Sequence, residues 1–257
     1  MTGSRRIVGI IPARMASSRF PGKPLAQIAG RTMIEHVYRR AAMNRRFSEV
    51  AIATCDEAIA EATRAFGGRA IMTSPTHERG TERVAEAAEQ LAADIVVNIQ
   101  GDEPLVTPGL FDELLAPFDD DRSVSCTNLM SPLASDSEQD SLNNVKVVVN
   151  RAGDAMYFSR EPIPSRRMGI RHDGQVFRQI GIYAFTREFL LDFNRLPSTP
   201  LERAESVDML RLLEHGRRIR MVLTQVPLQS VDTEADRREA ERLMAIDPLA
   251  SAYPENS

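Results

Sequence analysis

Several chemistries are excluded by what this chain lacks. Its 257 residues include only two cysteines, Cys55 and Cys126, far apart and without metal-ligand spacing. Neither a disulfide framework nor a zinc site is expected, and both thiols read as buried apolar fillers. His36, His172 and His215 have no cysteine or carboxylate at metal spacing and are assigned no chemistry. Positive charge is not in excess, because 32 Lys and Arg against 36 Asp and Glu leave a formal net charge of -4. That balance argues against a nucleic-acid partner, whose binding needs clustered cations and counterion release. The pairs Arg45-Arg46, Arg166-Arg167 and Arg217-Arg218 then read as solvated faces or helix ends. The apolar run Ile7-Val8-Gly9-Ile10-Ile11, ended by Pro12, is of strand length. It is too short for a signal peptide or a membrane span, so no membrane partner and a cytoplasmic location are expected. The three-glycine turn of a dinucleotide-binding dehydrogenase is also missing after this run, although Glu35 or Glu49 could pass for its ribose-binding acid.

The composition, 42% apolar and 26% charged, supports a sizeable core under a solvated surface. The first half alternates short β-branched runs with helical patterns, the sequence form of an α/β parallel sheet flanked by helices. Strands are predicted at Ile7 to Ile11, Val50 to Thr54, Ala70 to Met72 and Ile95 to Ile99. Helices are predicted at Thr32 to Met43, Glu57 to Phe66 with a C-cap at Gly67-Gly68, and Glu82 to Ala92. From about Pro104 the pattern changes. A helix from Pro108 to Leu115 and a strand-like segment from Ser123 to Met130 lead into a polar loop, Ser131 to Asn144. Val145 to Val149 and Ala155 to Ser159 read as an antiparallel hairpin around Asn150-Arg151-Ala152-Gly153. A Pro- and Arg-containing loop, Glu161 to Gly174, precedes a strand at Gly181 to Phe185 and helices at Arg187 to Phe193 and Glu202 to His215. A strand from Arg220 to Val226 and a helix from Thr233 to Met244 close the chain.

The loop after the first strand carries the strongest chemical signal. Within Pro12-Ala13-Arg14-Met15-Ala16-Ser17-Ser18-Arg19-Phe20-Pro21-Gly22-Lys23-Pro24-Leu25, three cations, Arg14, Arg19 and Lys23, fall where α/β sheets bind ligands. Glycine at Gly22 lets backbone amides approach phosphate oxygens, arginine offers a bidentate fork and lysine a movable point charge. The loop therefore reads as a polyphosphate cradle, although it is not a Walker A sequence.

In these residues the chain resembles the CMP-Kdo synthetases (3-deoxy-manno-octulosonate cytidylyltransferases), and the resemblance runs through nearly its whole length. It continues in His77-Glu78-Arg79-Gly80-Thr81-Glu82-Arg83, Asn98-Ile99-Gln100-Gly101-Asp102-Glu103-Pro104, Asn143-Asn144-Val145-Lys146-Val147-Val148, Tyr157-Phe158-Ser159-Arg160, Gly181-Ile182-Tyr183 and Val231-Asp232-Thr233. The resemblance implies a Rossmann-like nucleotidyltransferase sheet, one cytidylyltransferase domain over 1–257, with an inserted antiparallel subdomain for acceptor binding and dimerisation at about 105–200. It further implies transfer of CMP from CTP to a small anionic acceptor, Kdo or a related 2-keto sugar acid, with Mg2+ and release of pyrophosphate, by a homodimer.

Asp102 follows an apolar strand directly, so its carboxylate is expected at the strand end as a magnesium ligand, since magnesium is bound through one or two carboxylates with phosphates and waters. By resemblance, Asp232 completes the metal site; an N-cap of the following helix is the alternative. Arg14 and Lys23 are expected to stabilise phosphate charge during in-line attack on the α-phosphate, with no protein nucleophile. Pro12, Ala13, Arg14, Arg19, Lys23, Thr81, Arg83 and Gln100 form the expected nucleotide set; without the resemblance, Gln100 is as readily a polar residue at a strand end.

On the acceptor side the resemblance points to Arg79, Arg160, Arg178, Gln179, Tyr183, Asp208 and Met209. Here the chain departs from the family pattern. Gln179 stands where Arg-His-(apolar)-Gly-Ile-Tyr has histidine, Met209 where Leu-Glu-Gln-Leu-Arg has glutamine, and Arg79 where serine is common. Lost donors and acceptors cost about 1–3 kcal/mol each against a polyhydroxylated sugar. A phosphonate such as phosphonoformate is therefore an alternative acceptor, against neutral drift at three positions. A catalytically silent nucleotide-binding module is expected to lose Asp102, Asp232 or Lys23, and all three are present.

Overall fold

A computed structural model describes residues 5–16, 20–165 and 176–253. The chain divides into two compact units, Met1–Asp112 with Pro227–Ser257, and an insertion, Glu113–Val226.

In the first unit the apolar run forms β1 (Ile7–Ala13), nearly all of it buried, as expected for a parallel strand covered on both faces. Pro12 does not end the strand. Ile10 O accepts from Ile99 N, and pairing with the strand on that side stops at Ile10. The missing N–H of Pro12, two residues on, thus faces no partner, while the opposite side of β1 stays paired to Ala13. A 3-10 turn (Lys23–Leu25) and a ribbon of β2 (Gln27–Ile28) and β3 (Arg31–Thr32) follow. Thr32 caps α1 (Met33–Ala42) by accepting from Glu35 N at 3.3 Å. Next come β4 (Phe47–Thr54), α2 (Glu57–Ala65), β5 (Arg69–Met72), α3 (Gly80–Glu89) and β6 (Ile95–Asn98). The strands lie parallel in the order β6-β1-β4-β5.

The division between the units falls within α4 (Pro108–Asp120), which outruns the expected end at Leu115 and continues through Pro117. Proline removes one helical hydrogen bond, but Leu110, Phe111, Leu114, Leu115 and Phe118 are all buried, and this apolar stripe carries the helix onward.

The insertion contains β7 (Cys126–Pro132), α5 (Asp136–Asp140), β8 (Lys146–Val149), β9 (Ala155–Ser159) and β10 (Phe177–Thr186). It continues with α6 (Arg187–Arg195), α7 (Pro200–Glu205), α8 (Met209–Glu214) and β11 (Arg220–Leu223). Its strands run in the order β11-β7-β10-β8-β9, antiparallel except for β11 beside β7. The hairpin of β8 and β9 is the one expected. The polar stretch expected as loop instead contains α5, because Ser135 accepts from Glu138 N at 3.2 Å and nucleates one turn.

The helix expected over Glu202 to His215 is broken in two at Ser206, whose φ of 53° lies in the left-handed region. Residues nine apart in an unbroken helix are separated by about two and a half turns and point to opposite faces. The break lets Arg211 reach back to Glu202, with Nε–Oε2 at 2.8 Å and a second contact at 2.6 Å, both side chains buried.

The chain returns to the first unit as α9 (Glu234–Met244) and α10 (Pro248–Ser251). Val231, Ala240 and Met244 pack with Ile28 and Met33. Among the described residues no helix is long and apolar enough to cross a membrane. Cys126 is buried and its thiol pKa is pushed up by that burial, whereas Cys55, also expected to be buried, is only partly so at the end of β4. Of the expected loop at Glu161 to Gly174, only its first residues fall within the described range; Arg166-Arg167 and His172 lie outside it.

Candidate active site

At the C-terminal ends of β1 and β6 the first unit has a cavity of about 350 Å3. Pro12, Ala13, Arg14 and Lys23 line one side, Gln100, Gly101 and Asp102 another, and His77 to Gly80 with Arg83 the third. Gly101 matters for space: a Cβ there would stand 3.1 Å from Pro12 O and 3.2 Å from Ile34 Cδ1, so even one methyl group would force these neighbours to give way. Arg19 lies outside the described residues.

The loop after β1 is tied down at two points. Met15 N donates to Asp56 Oδ2 at 2.8 Å, and Gly22 N to Met15 O at 3.3 Å. Asp56 was not expected from sequence, being 41 positions from its partner. Gly22, at φ 72°, makes the turn that a side chain would strain, and Pro24 follows within the 3-10 turn.

Lys23 is where the site converges. Its Nζ donates to Asp102 Oδ2 at 2.7 Å and to Asp232 Oδ1 at 3.1 Å. The two aspartates are 130 positions apart, yet Val231 N donates to Asp102 O at 2.9 Å, so the segments bearing them are joined through the backbone. Burial opposes charge on Lys23, but the two carboxylates more than offset it and hold the ammonium pKa above its ordinary value. Asp232 is not the N-cap of α9. Thr233 takes that role, accepting from Asp236 N at 3.2 Å, while Asp236 Oδ2 accepts from Asp232 N at 3.0 Å and leaves the Asp232 carboxylate facing Lys23.

Among the described residues no group of three or more His, Cys, Asp or Glu side chains is placed to hold a metal. Two carboxylates beside a phosphate-sized cavity nevertheless suit magnesium, which completes its shell with substrate phosphates and waters.

The third wall is braced from beneath. His77 Nε2 meets Glu86 Oε2, which also accepts from Ser74 N at 2.9 Å. Burial pulls the Glu86 pKa upward, but these bonds outweigh it and leave the carboxyl below its usual value. Arg83, an expected nucleotide contact, is buried and donates to Thr73 Oγ1 and to Ser74 O at 3.3 Å, so its guanidinium holds the wall together. Thr81 is likewise buried, within 3.5 Å of Asn98 Nδ2. Arg79 lines the cavity beside the nucleotide loop, and Glu82 Oε2 accepts from its backbone N at 3.2 Å.

The other expected acceptor residues belong to the insertion. Gln179 Nε2 donates to Asn128 Oδ1 at 2.8 Å, and Arg178 Nε to Ser131 Oγ at 3.0 Å. Tyr183 is largely buried in β10, and Asp208 precedes α8. Met209 is a correction: it is wholly buried, which removes it from any ligand surface and explains an apolar side chain there by packing. Arg160 is engaged too, donating to Glu205 O at 2.7 Å, Leu142 O at 2.9 Å and Ser206 O at 3.5 Å. It braces the loops beside β9.

Residues 8–219 match the family described as Cytidylyltransferase. A 3-deoxy-manno-octulosonate cytidylyltransferase of Geobacter metallireducens is 49% identical over 240 residues, covering 90% of this chain and 94% of that protein. One of Solibacter usitatus is 46% identical, covering 93% and 94%. A solved structure of CMP:2-keto-3-deoxy-manno-octonic acid synthetase complexed with CTP is 41% identical and superposes with a TM-score of 0.88 over 93% of this chain and 98% of that one. The 4-diphosphocytidyl-2C-methyl-D-erythritol synthase of Anaerococcus prevotii shares the fold at a TM-score of 0.65 and 14% identity. A mostly parallel sheet with a carboxylate pair and a cationic loop at its strand ends agrees with these likenesses: the chain belongs to the cytidylyltransferase family and is a CTP-dependent nucleotidyltransferase.

Proposed function

We propose that this enzyme transfers CMP from CTP to the 2-keto sugar acid Kdo and releases pyrophosphate. The observation that carries the reading is the meeting of Lys23, Asp102 and Asp232, at 2.7 and 3.1 Å, beside the cavity that Arg14 and Gln100 line. An acceptor oxygen attacks the α-phosphorus, the bond to the α–β bridging oxygen breaks, and pyrophosphate departs in line. Such a reaction asks for positioning and charge stabilisation rather than a protein nucleophile. Arg14 and Lys23 bind the phosphate oxygens, and Gln100 with the backbone around Pro12 and Ala13 orients the base. Asp102 and Asp232 would hold magnesium, which when bound neutralises phosphate charge. In the insertion, Arg178, Gln179, Tyr183 and Asp208 are assigned to the acceptor, and the same segment to homodimerisation, in the cytoplasm; light scattering tests the dimer.

Nothing favours a phosphonate acceptor. Of the departures that suggested one, Met209 is buried and Arg79 lines the cavity of the nucleotide loop. Pyrophosphate release is to be followed with CTP against Kdo, its amino analogue, N-acetylneuraminate and phosphonoformate. Release with Kdo is expected; release with phosphonoformate alone would replace the acceptor, and release with none would remove all four.

A further inference from the structure

The contacts of Lys23 suggest an order of loading. We infer that Lys23 occupies the divalent-metal seat and yields it only when a polyphosphate arrives, so that metal enters with the nucleotide and not before it. This inference rests on the assignment of that seat to Asp102 and Asp232.

The backbone segments that carry the two carboxylates are held in place independently of the lysine side chain. They are joined by Val231 N to Asp102 O at 2.9 Å, and Asp232 N is fixed by Asp236 Oδ2 at 3.0 Å. The Lys23 backbone is fixed as well, with Leu25 N donating to Gly22 O at 2.9 Å and Ala26 N to Lys23 O at 3.1 Å. What can move is the four-carbon stem and its ammonium. That ammonium sits on Asp102 Oδ2 and Asp232 Oδ1 at once, on the two carboxylates that would hold a divalent ion. Two cations within about 4 Å of each other repel strongly in a partly desolvated site, so lysine and metal compete for the seat.

A nucleotide resolves the competition. Lys23 lines the same cavity as Arg14, so phosphate oxygens entering there offer the ammonium new acceptors at little cost in reach. As it turns to them, the carboxylates become available to an ion that the phosphates also ligate. Coupling of this kind is reciprocal: the nucleotide raises affinity for the metal by the factor with which the metal raises affinity for the nucleotide.

The test is a titration of the full-length protein with Mn2+ alone, read by the electron paramagnetic resonance signal of the free ion. Lys23→Met, which keeps the stem and removes the charge, is expected to bind Mn2+ about tenfold more tightly than the wild type, within the usual range of coupling between ligands. Adding Asp102→Asn to Lys23→Met is expected to abolish that gain, with circular dichroism confirming that both variants fold. Equal Mn2+ affinity of wild type and Lys23→Met overturns the inference. A parallel arm with α,β-methylene-CTP separates the two readings. If wild type takes up Mn2+ with the analogue and Asp102→Asn and Asp232→Asn do not, the seat stands even where the lysine effect fails. No uptake by wild type in that arm removes both.

Discussion

Two buried or half-buried lysines, one in each unit, show how partner chemistry decides what an ammonium does. Lys23 has a side chain 14% exposed and faces two carboxylates, which hold its pKa up against burial. Lys146, in β8, is fully buried and donates instead to three backbone carbonyls, Ser141 O at 2.9 Å, Asn144 O at 2.7 Å and Arg160 O. Its burial pulls the pKa down, against the pull of Glu161. Carbonyl dipoles satisfy the ammonium but carry no net charge that another cation could claim, so Lys146 fastens the turn at Ser141 and Asn144 to the chain at Arg160. Carboxylates can exchange one cation for another, which suits Lys23 to a site where charge must rearrange.

The largest effect expected at the first site is from Asp102→Asn, which should lower CMP transfer by about 10³-fold, as removal of a charge-organising group does. Steady-state pyrophosphate release, with the thermal midpoint as control, measures it. Lys146→Met should break the contrast from the other side, leaving buried carbonyls unsatisfied and lowering unfolding stability by about 3 kcal/mol in urea titration. Lys23→Ala should lower turnover by about 10²-fold with little change in stability; a large stability loss with near-normal single-turnover chemistry would make the two lysines alike.

A smaller effect follows from His36, buried between Ile28 O at 2.8 Å and the Tyr253 hydroxyl at 2.9 Å. Burial, with Arg40 nearby, lowers its pKa while the Ile28 carbonyl opposes the shift. The folded state therefore binds fewer protons than the unfolded one. The resulting stability is fully present above the unfolded pKa of about 6.5 and is lost as pH falls from there through the folded pKa. Denaturant midpoints between pH 8 and pH 5 should flatten in His36→Gln. Smallest of all, Thr233→Ala should cost about 1 kcal/mol by removing the α9 cap, while sparing Asp232.

How much of this was legible before the fold was known depends on the range of the interaction. Helix and strand positions in the first unit were, because they follow from periodicity and caps over a few residues, as Thr32 and Gly67 illustrate. The insertion was less so. The break at Ser206 carries no glycine or proline to announce it, and what holds it is the Glu202–Arg211 pair formed once α8 folds back. The helix expected to end at Leu115 erred in the opposite direction, since the apolar stripe of α4 outweighs the bond that Pro117 removes. At the site, Asp102 could be foreseen from its place at a strand end, but Asp56 could not, and Met209 drew from the resemblance a ligand role that burial assigns to packing.

From sequence alone come the parallel α/β framework and a cationic loop after its first strand. These depend on residue type and local order, which the linear chain states directly. Only the tertiary structure decided that Asp232 faces Lys23 while Thr233 takes the cap, and that Lys23 spans both aspartates across 79 and 209 positions. The reason is geometric: which oxygen an ammonium finds is set by how distant segments are brought within 3 Å, and no local pattern encodes that distance.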